Sequence, residues 1–148
     1  MRDGFSSNGQ LKQGKGSVFE GGIRVPAAIW WPGKIESAQA FSEVVHVADV
    51  LPTLADFVGA PITKVDGRSI RDALLNNKPL PERAIVVANF DSEALIEWPW
   101  KIVREGSLPM TPDFLKSETW YLYNIESDPG ELEDLQTHYP QHFARLRD

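Results

Sequence analysis

Hydrophobic and polar positions along the chain change their spacing from segment to segment, and each change marks an element. The opening stretch carries Gly4, Gly9, Gly14 and Gly16, with only Phe5 and Leu11 interrupting the polar residues between them. Such a stretch favours irregular backbone close to a partner or ligand. Val25 to Trp31 is an apolar run broken only by Pro26 and ended by the turn pair Pro32-Gly33, which predicts a short buried strand. The period then lengthens. Val47, Val50, Leu51, Leu54, Phe57 and Val58 recur at spacings of three and four, the signature of an amphipathic helix. Asp49 is placed to cap its start, Pro52 to occupy its first turn and Gly59 to close it. A shorter helical segment follows over Ser69 to Leu75.

Beyond Pro79 and Pro81 the pattern turns strand-like. Ala84–Phe90, Ala94–Val103 and Thr119–Ile125 are rich in β-branched and aromatic residues, and Pro99 inside the second predicts an edge strand or a bulge there. Asp128-Pro129-Gly130 is a turn signal, and Pro140 opens a last helix through Phe143 and Leu146. The order is one strand, two helices, three antiparallel strands and a final helix, an α+β arrangement without internal repeats.

Composition narrows the function classes. With 148 residues the chain is long enough for one ordinary domain with its own core. A net charge of −6 and dispersed basic residues argue against a nucleic-acid partner, which needs clustered Lys and Arg. There is no cysteine, which removes disulfides, zinc–thiolate sites and thiol nucleophiles. No apolar stretch approaches the ~20 residues that cross a bilayer, so no membrane partner is expected. The N-terminus lacks the apolar core of a signal peptide and reads as a loop entered in the middle.

Candidate chemistry starts in the glycine-rich stretch. Gly9 to Ser17 nearly fits a phosphate-binding P-loop, but Gly16 stands where the metal-holding Ser or Thr belongs and no apolar strand precedes it. Lys15 between Gly14 and Gly16 can still approach a tetrahedral oxyanion closely; the ordinary alternative is a solvated loop lysine. His46 packs against or caps the start of the long helix, and His138 and His142 lie on or beside the last one. Trp30, Trp31, Trp98, Trp100 and Trp120 are read as core residues rather than sugar-stacking ones.

The run from Lys12 to Pro26, with Gly14-Lys15-Gly16-Ser17 and Glu20-Gly21-Gly22-Ile23-Arg24-Val25-Pro26, is followed by Trp30-Trp31-Pro32-Gly33-Lys34-Ile35. Together they resemble sulfatases of the arylsulfatase A and N-acetylgalactosamine-6-sulfatase type. His46 to Gly59 looks like the helix after that strand, and Trp120 to Asn124 with Asp128-Pro129-Gly130-Glu131 like the family's C-terminal strand and turn. The three segments occur in the family's order and cover nearly the whole chain.

The resemblance implies an alkaline-phosphatase-like α/β fold, of which this chain supplies the C-terminal portion. Residues 1–35 would end the large catalytic domain, and 36–148 would form helices and the small C-terminal antiparallel-sheet subdomain. It also implies that Lys15 contacts the substrate sulfate as a catalytic and substrate-binding residue, while Glu20 and Arg24 pair to fix the loop onto the strand. The family's formylglycine arises from a Cys or Ser heading a Cys/Ser-x-Pro-x-Arg motif, which this sequence does not contain. Its calcium is held by clustered Asp and Asn. Arg2-Asp3-Gly4 stands where an Asp-Asn-Gly would be, or else that motif lies upstream of Met1. One carboxylate does not make a calcium site, so no metal ligand is assigned and neither cofactor is expected to be complete here. The expected function is sulfate-ester hydrolysis by the whole enzyme, with this portion inactive alone. The alternatives are a non-enzymatic docking domain and a phosphoester hydrolase of the same fold. Compartment and oligomeric state stay open; family members are often periplasmic, secreted or lysosomal.

Overall fold

A computed structural model describes residues 7–41, 43–106 and 118–148. The chain packs as two compact units, one of residues up to Val25 together with Arg83–Asp148, the other Pro26–Glu82.

The first unit is built on a sheet. Strands β1 (Ala84–Ala88), β2 (Ser92–Glu97), β3 (Trp100–Glu105) and β4 (Thr119–Asn124) form an antiparallel meander in the order β1-β2-β3-β4. The single strand expected over Ala94–Val103 is two strands. Glu97 pairs with Trp100, leaving Trp98 and Pro99 as a two-residue turn with a cis peptide between them. Proline lacks the N–H a ladder needs, so the chain reverses at Pro99 instead of running through it.

Side chains alternate across the sheet. On one face Ile102 and Leu122 meet Leu146 of helix α4 (Pro140–Arg147), flanked by Leu95, Trp100, Trp120, Leu135 and Phe143. The alternate residues of β3 and β4, Lys101, Val103, Tyr121 and Tyr123, belong to the opposite face, where Phe19 sets its ring edge-on to both tyrosines. Phe19 directly precedes the single-turn helix α1 (Glu20–Ile23). Both faces of β3 are therefore covered, and Lys101, Ile102 and Val103 are all buried.

The second unit holds a 3₁₀ turn (Val47–Asp49) running into helix α2 (Val50–Val58), then helix α3 (Arg71–Asn76). Gly59 closes α2 in the left-handed conformation, as its position predicts. Asp49 does not cap α2 itself. Its carboxylate accepts from the His46 N–H at 2.8 Å and from the Arg68 N–H at 2.9 Å, while His46 Nδ1 accepts from Ala48 N–H. His46 is thus the cap, and Asp49 completes its capping box.

Two expectations fail here. Val25–Trp31 forms no strand: it pairs with nothing among the described residues, and Trp30 is 85% exposed. Pro26 removes one ladder donor, and apolar sequence cannot make a strand without a neighbour to bond. The apolar stripe of α2 is likewise exposed at Val47, Val50, Leu51, Leu54 and Val58. What α2 buries is Pro52 and Thr53, because Thr53 Oγ1 donates to Asp49 O and accepts from Ile70 N–H. The tryptophans also depart from a uniform core role. Trp100 and Trp120 flank the sheet core half-buried, whereas Trp30, Trp31 and Trp98 are exposed.

Candidate active site

The glycine-rich stretch folds into a loop that closes on itself. Asn8 donates its side-chain amide to Gln13 O at 2.8 Å, and Gly21 N–H reaches back to Lys12 O at 2.9 Å. Gly22 has no room for a side chain: a Cβ there would meet the Ser17 carbonyl oxygen and, at 2.7 Å, that of Gly14. Glycine is required here by close approach of backbone to backbone.

At the tip, Ser17 N–H donates to Gly14 O at 3.0 Å, a turn with Lys15 and Gly16 at its centre. Lys15 is exposed, and its ammonium makes no hydrogen bond or ion pair among the described residues. The turn is held from the sheet: Asn89, between β1 and β2, donates its side-chain amide to Gly16 O at 2.8 Å.

Two further lysines fasten this loop, and sequence reasoning assigned neither. The Lys12 ammonium donates to the Tyr123 hydroxyl at 2.8 Å and to Glu131 O at 3.3 Å. It also lies 4.3 Å from the Phe19 ring centre and 4.9 Å from that of Tyr123, within cation–π range. Burial, with the Glu131 charge next, pushes the Tyr123 phenol up, so it stays protonated.

Lys101 is fully buried and stands between two carboxylates. It hydrogen-bonds Glu20 Oε1 at 2.9 Å and pairs with Glu131 Oε1 at 2.8 Å, the latter contact ionic rather than a well-angled hydrogen bond. Glu131 Oε2 accepts from Glu20 N–H at 2.7 Å, which ties α1 to the turn after β4. The Asp128 carboxylate shapes that turn by accepting from the N–H groups of Leu132 and Glu133. Burial raises the Glu131 carboxyl above its ordinary value, and Lys101 offsets only part of that. The expected Glu20–Arg24 pair is present but long, at 3.8 Å with Arg24 half exposed. Glu20 fixes the loop through Lys101 of β3 rather than through a strand at Val25–Trp31.

No group of three or more His, Cys, Asp or Glu among the described residues is placed to hold a metal ion, and Arg2 and Asp3 lie outside them. His142 stacks on Trp100 at 4.6 Å, distant in sequence and in the sheet from the Lys15 turn. The described helices include none long and apolar enough to cross a membrane.

Against this geometry stand the similarities to known proteins. The family described as N-sulphoglucosamine sulphohydrolase, C-terminal, matches residues 13–146. The chain belongs to the sulfatases. Human steryl-sulfatase is 41% identical over 71 residues, covering 46% of this chain and 12% of that protein. Human arylsulfatase A is 39% identical over 80 residues, covering 53% of this chain and 16% of that protein. The crystal structure of Ps i-CgsB superposes with a TM-score of 0.74 at 27% identity, over 92% of this chain and 30% of that one; the same protein has been solved with k-i-k-neocarrahexaose. The matched part of these curated relatives is thus 12–16% of their length. The sheet-plus-helix architecture is that of the sulfatase C-terminal portion, as the sequence resemblance implied.

Proposed function

We propose that this chain serves as the C-terminal portion of a sulfate-ester hydrolase and that Lys15 brings positive charge to the sulfate. One observation carries the reading: among the described residues the Lys15 ammonium has no partner, at the tip of a loop whose other lysine is tied down. A compact cation carried on a braced backbone turn stabilises charge that grows on a leaving oxygen. The two flanking glycines leave space for an anion to come against the backbone.

The chain by itself turns over no sulfate ester on this reading. It has no cysteine, and none of its serines heads the Ser-x-Pro-x-Arg pattern from which the family's nucleophile is made. The names of its relatives and of its family point to steryl, N-sulphoglucosamine and other sulfated groups, so the reading stops at the sulfate ester. The test is incubation of the purified chain with 4-nitrophenyl sulfate. No turnover above buffer is expected, and turnover that disappears in Lys15→Ala would refute the claim of inactivity.

A second reading, a docking domain without catalysis, is favoured by the exposed apolar face of α2. It requires the purified chain to be monodisperse and to bind a partner irrespective of Lys15→Ala.

A further inference from the structure

Asn89 occupies the three-residue connection Asn89–Asp91 between β1 and β2. Its side-chain oxygen accepts from two backbone N–H groups, Asp91 at 3.0 Å and Ser92 at 2.8 Å. Its own N–H donates to Ser92 O at 2.9 Å. Those contacts fix which way the amide faces, because the flipped orientation would set an NH₂ group against two N–H donors. The amide nitrogen is then aimed outward, and it donates to Gly16 O at 2.8 Å, across 73 positions of sequence.

From this we infer that Asn89 is the positioning residue of the Lys15 turn, an inference that rests on the proposed role of Lys15. Gly16 has φ +94°, a conformation that its lack of a side chain permits but does not enforce. The turn's own closure is the single Ser17–Gly14 hydrogen bond. Lys12 and Glu20 anchor the two stems of the loop, at residues 12 and 20, and neither touches the tip between them. Among the described side chains, that of Asn89 is the one that hydrogen-bonds a residue next to Lys15; the Asn8 amide lies against Gly14 but donates to Gln13 O. Through it the rigid hairpin sets the height and direction of the Lys15 backbone, and so the volume that the ammonium can sweep. The sheet thereby acts on the site without contributing a group that touches substrate.

Two substitutions separate this role from folding. Asn89→Asp keeps the oxygen that accepts from Asp91 and Ser92 and replaces only the donor, setting a carboxylate oxygen against a carbonyl oxygen. Asn89→Ser keeps an acceptor for the turn and is too short to reach Gly16. In the complete sulfatase that carries this chain, both variants should melt as the wild type does. Both should lower kcat/KM for 4-nitrophenyl sulfate by roughly twofold to tenfold, the net worth of one hydrogen bond. The Asn89→Asp deficit relative to wild type should shrink as pH falls toward about 4, where a protonated carboxyl can donate again; the Asn89→Ser deficit should not. Wild-type kcat/KM in both variants, alongside a large loss in Lys15→Ala, would overturn the role of Asn89 and leave that of Lys15 standing. An unimpaired Lys15→Ala would overturn both.

Discussion

Replacing Lys101 with methionine tests whether the buried ion cluster holds the loop to the sheet. Methionine keeps most of the lysine stem and its packing, so the loss of volume alone costs under about 1.5 kcal/mol. What it removes is the one cation at 2.8–2.9 Å from two carboxylates that are themselves almost wholly buried. Arg24, 3.8 Å from Glu20 and half exposed, is too far and too solvated to take its place. Breaking a buried pair from one side costs about 3–5 kcal/mol, because the remaining charge stays buried without a partner. That is a large part of the roughly 5–15 kcal/mol that holds a domain together. Glu131→Gln is the control. It leaves Lys101 and Glu20 as a pair at 2.9 Å, while the single amide oxygen of glutamine can serve either Glu20 N–H or the Lys101 ammonium and leaves the other contact unmet. Its expected cost is about 1–3 kcal/mol, that of leaving one buried hydrogen-bonding contact unmet while the cation keeps a carboxylate partner. Urea unfolding followed by far-UV circular dichroism gives both numbers, with hydrogen exchange of the β3 amides as a local check on the sheet. A Lys101→Met cost below about 1.5 kcal/mol, or one equal to that of Glu131→Gln, would refute the reasoning, since packing alone would then account for it.

The remaining expectations concern pH and backbone space. Burial raises the Glu131 carboxyl above its ordinary 4.5, so the folded chain holds that proton more tightly than the unfolded one. The stability this contributes is complete below the unfolded value and is lost as pH rises through the folded one. The difference in unfolding free energy between Glu131→Gln and wild type should therefore move in the variant's favour as pH rises above 4.5; a difference that stays flat from acid to neutral pH counts against it. Gly22→Ala drives a methyl group into the carbonyl oxygens of Gly14 and Ser17 and should cost about 1–3 kcal/mol, as overpacking does. A denaturation midpoint unchanged from wild type would mean that the loop is looser than its geometry indicates.

Much of the sheet and α2 was legible because local chemistry and final structure agree there. The β-branched and aromatic runs became strands, Gly59 closed its helix, and Asp128-Pro129-Gly130 made its turn. Pro99 predicts an edge strand or a bulge, whereas it lies in the reversal between two strands, a difference that depends on which residues pair and not on the proline itself. The apolar stripe of α2 and the run at Val25–Trp31 gave clear periodicities but no information about what would cover them. Periodicity reports which residues can share a face, and burial needs a second surface.

The lysines of the loop and sheet show the same division at the level of single groups. Lys12, Lys15 and Lys101 each stand beside apolar residues or glycine, and nothing in composition ranks them. Their partners do. Lys101 alternates with Trp100 and Ile102 on a strand covered on both sides, so its charge is tolerable only with Glu20 and Glu131 brought in from 81 positions before it and from the turn after β4. A charged residue inside an otherwise apolar strand was the available signal, and it calls for a buried counter-charge somewhere in the chain. Lys12 is consumed by an aromatic cage and the Tyr123 hydroxyl. Lys15 has no partner among the described residues, because its neighbours are glycines and its turn is held through backbone rather than through its side chain. Lys12 of the loop and Lys101 of the sheet thus brace the backbone on which Lys15 stands, while the Lys15 ammonium, unbonded among the described residues, stays open to an anion.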